Sequence, residues 1–159
     1  MTPSFTNTTN YHLKPRGYIY RRGLIMFLRK YRVDVNDVVM EVPYPTFIDT
    51  GGVMYQTRPI VPESDGGSIP PAFRWIAGDE DAFPLSYTFH DDGVRNGGLY
   101  RVIMGRRIFV PMPRSEVDDL LSRMLPAEGC KRYQAKKIVL GARIGTLFAF
   151  DDRKDQTEN

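Results

Sequence analysis

The sequence predicts an α+β fold that is rich in loops, in which a small antiparallel sheet packs against two to three helices. Strand-like segments fill residues 31–61, and later segments have helical periodicity with clear end signals. The chain also has 14 glycines and 12 prolines among its 159 residues, which favours short elements over a helical bundle. With 42% apolar residues, a single domain of this length can bury its own core.

The strand predictions rest on β-branched and apolar runs that turn residues interrupt. The segments "YRVDV" and "DVVMEV" run up to the breaker "PYP", and "TFIDTGGVMYQT" indicates two strands around a turn at Gly51 and Gly52. Further along the chain, "YRVIMGRRIFVPMP" indicates a strand or a hairpin whose turn lies near Gly105.

Helices are predicted in the second half of the chain. The segment "LSYTFHDDGVRNGG" predicts a helix of about three turns that contains His90 and ends at Gly97. The segment "RSEVDDLLSRML" predicts a helix with Ser115 as its N-cap and Pro126 as its end. A last helix is predicted over residues 131–147, and "PAFRWI" indicates a single short helical turn.

Charge is segregated along the chain. The first 33 residues hold seven bases and no acid, whereas the remaining residues hold fifteen bases and nineteen acids. The opening "MTPSFTNTTNYHLKPRGY" is polar and lacks periodicity. We therefore expect an extended basic arm over residues 1–30, a single α+β domain over residues 31–150 and a polar tail over residues 151–159.

An arm of this composition needs a surface that holds it, either a strand position in its own sheet or a neighbouring subunit. The bases expected to contact a partner are Arg16, Arg21, Arg22, Arg29, Lys30 and Arg32. Direct binding of DNA or RNA is a further interpretation, because tyrosines interleave with these bases: Tyr11, Tyr18, Tyr20 and Tyr31.

Cysteine and histidine usage excludes several classes of protein. Cys130 is the only cysteine, so no intrachain disulfide can form. With only His12 and His90 beside it, a closed four-ligand zinc site of the Cys/His kind cannot be completed. The longest apolar run near the start, residues 24–28, is too short for a signal peptide or a membrane span. We expect a protein that is not exported by a signal peptide.

One histidine–carboxylate pair and one pair of carboxylates are candidates for chemistry. If the two predicted helices pack side by side, His90 can meet Asp118, and a carboxylate that accepts from one ring nitrogen frees the other to act as a base. Asp65 and Asp91 can supply the oxygens that Ca²⁺ or Mg²⁺ prefers. No other cofactor is indicated.

The loop between Asp65 and Pro70 completes this hypothetical site. The backbone amides of Gly66 and Gly67, with the Ser68 hydroxyl, can line an oxyanion or phosphate position. A purely structural interpretation is equally open. Aspartate before two glycines is common in turns, and a buried His–Asp pair can simply join two helices.

The order of "VPESDGGSIPPAFRW", "FHDD" and "RSEVDDLLSRML" resembles the phage and prophage family catalogued as domain of unknown function 1353. The resemblance covers residues 55–150 and carries over to Asp65, Ser68, Pro70, His90, Asp91 and Asp118. The family usually has an aromatic residue shortly after His-Asp, where this chain has "DGVRNGG".

This resemblance implies a tailed-phage context, in the virion or the host cytoplasm. We expect a structural interaction protein of a tail, baseplate or connector that docks on other phage structural subunits, or on copies of itself, through its basic arm. The alternatives are a small metal-assisted hydrolase of cell-envelope or phosphoester substrates that uses His90, and a protein that contacts DNA.

Overall fold

The computed structural model describes residues 1–22, 30–64 and 82–149. Its α-helices are α1 (Pro84–Asn96), α2 (Arg114–Ala127) and α3 (Arg132–Ala149), and a short 3-10 turn spans Thr50–Gly52. The strands of this part of the chain are β1 (Ser4–Thr6), β2 (Tyr11–Arg22), β3 (Lys30–Met40), β4 (Thr46–Ile48), β5 (Met54–Gln56), β6 (Ile60–Ser64), β7 (Gly98–Ile103) and β8 (Arg106–Pro111).

The described strands form two antiparallel sheets. A five-stranded sheet has the order β1-β4-β5-β7-β8, and a three-stranded sheet has the order β2-β3-β6. The predicted α+β class is confirmed. The expected small sheet is divided in two, because the chain leaves the three-stranded sheet at the "PYP" break after β3 and starts β4 in the other sheet.

Two stretches of the N-terminal residues, 4–6 and 11–22, pair with other strands of the same chain. Strand β1 pairs with β4, and β2 pairs with β3 over its whole length. Phe5 supplies the apolar contact that holds β1, since its ring centroid lies 5.1 Å from that of Phe47 and 5.5 Å from that of Phe89. Of the two positions that the sequence left open, the strand in its own sheet is the one observed for this segment.

The main core lies where the helices pack on the five-stranded sheet. Its central side chains come from β4, α1, β7 and α2 and are fully or almost fully buried: Phe47, Phe89, Leu99, Leu120, Leu121, Met124 and Leu125. The three-stranded sheet buries a smaller cluster of Val38, Met40 and Val61. Tyr11 packs against both clusters and so joins the two sheets.

The turn at Gly51 and the end of α1 follow the local sequence, whereas both ends of α2 differ from the prediction. Gly51 has φ 82° at the tip between β4 and β5, and Gly97 ends α1 in the left-handed region at φ 72°. Ser115, however, is not the N-cap of α2. Pro113 occupies that position without a side-chain cap, and Pro126 lies inside the last turn rather than ending the helix. In the described part of the chain, no helix combines the length and apolarity that a bilayer crossing requires.

Candidate functional site

A buried histidine–carboxylate pair lies between α1 and α2. The Nε2 atom of His90 and the Oδ1 atom of Asp118 are 2.7 Å apart, and both side chains are buried. With Asp118 ionised, Nε2 carries the proton and its N–H donates a hydrogen bond to the carboxylate. The second ring nitrogen, Nδ1, is then the basic atom of the neutral imidazole.

A glycine brings the two helices close enough for this contact. Gly93 lies one helical turn after His90 and therefore on the same face of α1. A Cβ atom at position 93 would lie 2.9 Å from Cγ1 of Val117, which is the residue before Asp118. Because Gly93 has no side chain, Val117 packs directly on the backbone of α1, and the Asp118 carboxylate reaches the imidazole.

The pair could act as a general base or could simply join the two helices, and these two roles differ in what must reach the imidazole ring. A general base requires a substrate proton within hydrogen-bond distance of Nδ1, and His90 is 9% exposed. A helix-joining pair requires only the internal hydrogen bond. A surface groove of about 370 Å³ between α2 and α3 is lined by Ser122, Lys136, Val139, Leu140 and Arg143, so neither His90 nor Asp118 belongs to its lining.

A second carboxylate of α1 is more deeply buried than either member of that pair. Asp92 is fully buried and accepts hydrogen bonds from the backbone N of Arg58 at 2.9 Å and from its Nε at 2.7 Å. Arg95 donates from Nη1 to the carbonyl of Pro62 at 2.8 Å. These contacts hold α1 against the β5–β6 connection, which contains Arg58, and against β6, which contains Pro62.

The N-terminus of α1 is held by Glu128, which follows α2. Its carboxylate accepts from the backbone N of Leu85 at 2.9 Å, and from the backbone N and the Oγ of Ser86 at 2.8 and 2.6 Å. Amide groups at a helix N-terminus lack partners within the helix, and a negative charge there interacts favourably with the helix dipole. Glu128 thus replaces the side-chain cap that α1 lacks at Phe83.

The predicted metal ligands are only partly described. Asp91 follows His90 on α1 and is half-buried, whereas Asp65, Gly66, Gly67 and Ser68 lie outside the described residues, as does "PAFRWI". Within residues 1–22, 30–64 and 82–149, no group of three or more His, Cys, Asp and Glu side chains could hold a metal ion. The metal site built on Asp65 and Asp91 stays a prediction.

The second candidate site is the two-stranded ribbon of β2 and β3, here named the basic hairpin. Its register runs from Tyr11 opposite Met40 to Arg22 opposite Lys30. All positions from 12 to 18 are exposed. Because successive side chains of a strand point to opposite faces, neither face of β2 is covered there.

The base of the hairpin is anchored, whereas β2 is exposed from position 12 to position 18. Tyr11 is half-buried between the two clusters, and desolvation, with a smaller effect of Glu128, raises the pKa of its hydroxyl. Leu13, Tyr18 and Tyr20 are exposed large side chains of β2. The hairpin therefore presents apolar and aromatic surface that its own core does not use.

The predicted partner-binding bases are concentrated on this hairpin. Arg16 lies at the register shift between Pro15 and Gly17, and its Nη1 is 3.5 Å from Oδ1 of Asp37. Arg32 has its Nε 3.4 Å from Oδ1 of Asp34. The remaining predicted bases are Arg21, Arg22 and Lys30, which occupy strand positions, and Arg29, which lies outside the described residues.

An aromatic pair accompanies these bases. The rings of Tyr18 and Tyr20 meet edge to face with centroids 5.5 Å apart. The guanidinium of Arg32 lies 4.1 Å from the Tyr18 centroid, within cation–π range. This cluster offers a flat, cationic surface to a partner.

The sequence did not indicate the partly buried ion pairs that hold these elements in place. Arg123 of α2 donates from Nε and Nη2 to the two carboxylate oxygens of Asp49 at 2.8 and 3.0 Å, and this contact raises the pKa of the guanidinium. Asp92 directly follows His90 and Asp91, so its position beside these candidate site residues could have drawn attention to it. Nothing local to Asp49 or Glu128 reveals a partner that lies far along the chain.

No protein family model, no curated protein and no solved structure matches the chain. The resemblance to the family of unknown function therefore stays a prediction.

Proposed function

We propose that this protein is a structural interaction protein that docks on a neighbouring subunit of a larger assembly through the basic hairpin. The observation that carries the proposal is the exposure of both faces of β2 over positions 12–18. Over these seven positions β2 covers none of its own core, and it leaves apolar side chains and an open strand edge in solvent. Such surfaces in monomers mark interaction sites.

The charge of the hairpin defines the chemistry of the partner. Residues 11–40 hold seven bases and two acids. A partner surface with carboxylates around an apolar centre complements this pattern, since the bases pair with the acids while Tyr18 and Tyr20 lose water contact. The acids Asp34 and Asp37 favour a protein partner, because on DNA they would face phosphates.

The tailed-phage particle is the assembly that the sequence resemblance suggests. In that setting the chain would be a tail, baseplate or connector component, and the partner a structural subunit with an acidic surface. The basic hairpin takes the role that the sequence assigned to a flexible arm, with the difference that its order comes from pairing between β2 and β3.

The test uses particles assembled without this chain, to which the purified protein is added. We expect the wild type to cosediment with the particles and the double variant Lys14→Glu with Arg32→Glu to lose binding by at least about tenfold, because rim charges set attraction to an acidic surface. The matched control reverses the same amount of charge at two other exposed bases, with Lys131→Glu just before α3 and Lys136→Glu on α3. Equal binding of both double variants would contradict the proposal.

DNA binding is the second candidate, and the Tyr18–Tyr20 pair with its stacked Arg32 favours it specifically. A two-stranded ribbon fits the major groove, and aromatic side chains can stack on bases. Binding of the wild type to mixed-sequence duplex DNA with a steep salt dependence, lost in the hairpin variant and without cosedimentation, would replace docking by this function.

A metal-assisted hydrolase is supported by the short His90–Asp118 hydrogen bond. Its test is independent of the hairpin. Millimolar Ca²⁺ or Mg²⁺ should raise the melting temperature of the wild type and not of Asp65→Ala if the carboxylates hold a cation. No shift in the wild type would count against this candidate.

A further inference from the structure

The free edge of the five-stranded sheet has a defined set of unpaired backbone groups. Met104 and Gly105 have φ 51° and 73°, which makes the β7–β8 turn a tight two-residue turn that Ile103 and Arg106 close. Hydrogen-bonded pairs then recur at every second residue, and the bond from Met112 N to Gly97 O at 2.9 Å continues this series. The backbone groups of Arg107 and Phe109 therefore point away from β7.

Strand β8 lacks most of the features that protect a sheet edge. Its register with β7 contains no bulge, and Pro111 stands only at its last position. Ile108 is 46% exposed and Phe109 is 38% exposed, so apolar side chains stand on both faces of the strand. Among the described residues, β8 pairs with β7 alone.

Ile108 belongs to a row of side chains on the core face of the sheet. The registers place Phe5, Phe47, Tyr55, Arg101 and Ile108 opposite one another across the five strands. Phe47 belongs to the main core, and Phe5 and Tyr55 pack against it, whereas Ile108 ends the row and is 46% exposed. One more strand beside β8 would extend the row and cover it.

We infer that this additional strand is β8 of a second copy of the chain, paired antiparallel about a two-fold axis through Ile108. Arg107 of each copy then exchanges both backbone hydrogen bonds with Phe109 of the partner subunit. Ile108 faces Ile108 of the partner subunit in the close, non-hydrogen-bonded type of pair. The two five-stranded sheets become one continuous sheet.

The residues of β8 select this register over its neighbours. An axis through Arg107 would place Phe109 opposite Gly105 of the partner subunit, which belongs to the β7–β8 turn with φ 73°, so the paired segment would be shorter. An axis through Phe109 would place the ring of Pro111 opposite the Arg107 carbonyl, which then lacks a donor. Pairing about Ile108 avoids both costs, with Arg106 opposite Val110 of the partner subunit.

The predicted association is weak because the interface is small. A single pair of short strands buries less than the roughly 1,200 Å² of a standard interface, so we expect dissociation constants of about micromolar or above. A second copy is favoured over another partner because two copies of β8, paired about Ile108, match each other in backbone hydrogen bonding and in the apolar contact of Ile108. This inference concerns a different surface from the basic hairpin and does not depend on its function.

Disulfide trapping tests the register directly. The Cα atoms of a non-hydrogen-bonded antiparallel pair lie about 4.5 Å apart, within the range that a disulfide spans. We expect Ile108→Cys to form covalent dimers under mild oxidation at least about tenfold faster than Arg106→Cys, whose copies would lie four positions apart along the strands. Arg106 is exposed as well, so random collisions alone would form disulfides in both variants at similar rates.

Sedimentation of the unmodified protein supplies the second readout. The wild type should show a monomer–dimer equilibrium at tens to hundreds of micromolar, in line with the expected weak association, and Ile108→Lys should be monomeric throughout. Val42→Lys is the control, because Val42 is exposed outside the edge. Equal trapping rates at 108 and 106, faster trapping of Phe109→Cys, or a wild type that stays monomeric would each overturn the inference.

Discussion

Gly93 of α1 and Val117 of α2 define how closely the two helices approach. The missing Cβ of Gly93 leaves the space that Val117 fills, and Val117 is fully buried. The position of the His90–Asp118 pair follows from this contact, since Asp118 is the next residue of α2.

Gly93→Ala is expected to lower the free energy of unfolding by about 1–3 kcal/mol, despite the better helix propensity of alanine, because the added methyl overpacks the interface. Urea unfolding measures the change. Val117→Ala removes the two methyl groups that clash, so the double variant should be more stable than the sum of the two single changes predicts. Strict additivity would contradict the close approach.

Removing one member of the His90–Asp118 pair leaves a buried polar group without its partner. Asp118→Ala should cost about 1–3 kcal/mol of unfolding free energy for this reason. The double variant His90→Phe with Asp118→Leu should lose less stability than the sum of the losses in the single variants His90→Phe and Asp118→Leu. An additive cycle would mean that the hydrogen bond contributes nothing to stability.

Glu128 stabilises the start of α1 through three hydrogen bonds to Leu85 and Ser86. Glu128→Ala should destabilise the protein by about 1–2 kcal/mol, as loss of a helix cap does. Glu128→Gln keeps the size but loses the charge at the helix N-terminus, and should fall between wild type and alanine. Equal melting temperatures for all three proteins would refute the capping role.

Met104 occupies the left-handed region at φ 51° and is 99% exposed at the tip between β7 and β8. Asparagine is favoured at this turn position, so Met104→Asn should raise the unfolding free energy by about 0.5–1 kcal/mol. Met104→Ala is the matched control, because it removes the side chain yet keeps the Cβ that disfavours positive φ. A gain of stability in the alanine variant would point to the exposed side chain instead of the backbone.

Burial raises the pKa of the Cys130 thiol above its usual value of 9.0. The folded state therefore disfavours the thiolate, and the associated stability is present below the unfolded pKa and is lost as pH rises through the folded pKa. We expect Cys130 to react slowly with a disulfide reagent at pH 8 in buffer and quickly in urea. The Cys130→Ala protein should also lose less stability between pH 8 and pH 11 than the wild type.

The sequence could predict those elements whose ends are set by local turn and cap residues. The glycine turn at Gly51, the end of α1 at Gly97 and the hairpin around Gly105 each depend on neighbouring residues alone, and the structure has them at these places. Strand β1 could not be predicted in this way, because Phe5 finds its partners Phe47 and Phe89 far along the chain.

The candidate site likewise has a part that local patterns predict and a part that depends on distant contacts. Helical patterns were enough to place His90 and Asp118 on two helices, but the approach of these helices depends on Gly93, whose role appears only in the packed structure. The bonds that fix α1 from outside, to Arg58 and Glu128, join residues tens of positions apart. No pattern in a single sequence specifies such pairs.

Hydrogen exchange of the basic hairpin, free and bound to particles assembled without this chain, tests docking most directly. Outward-facing amides of β2 should exchange quickly in the free protein and slow markedly on binding, while amides of α1 and α2 change little. Unchanged exchange in residues 11–22 of the particle-bound protein would contradict docking through the basic hairpin.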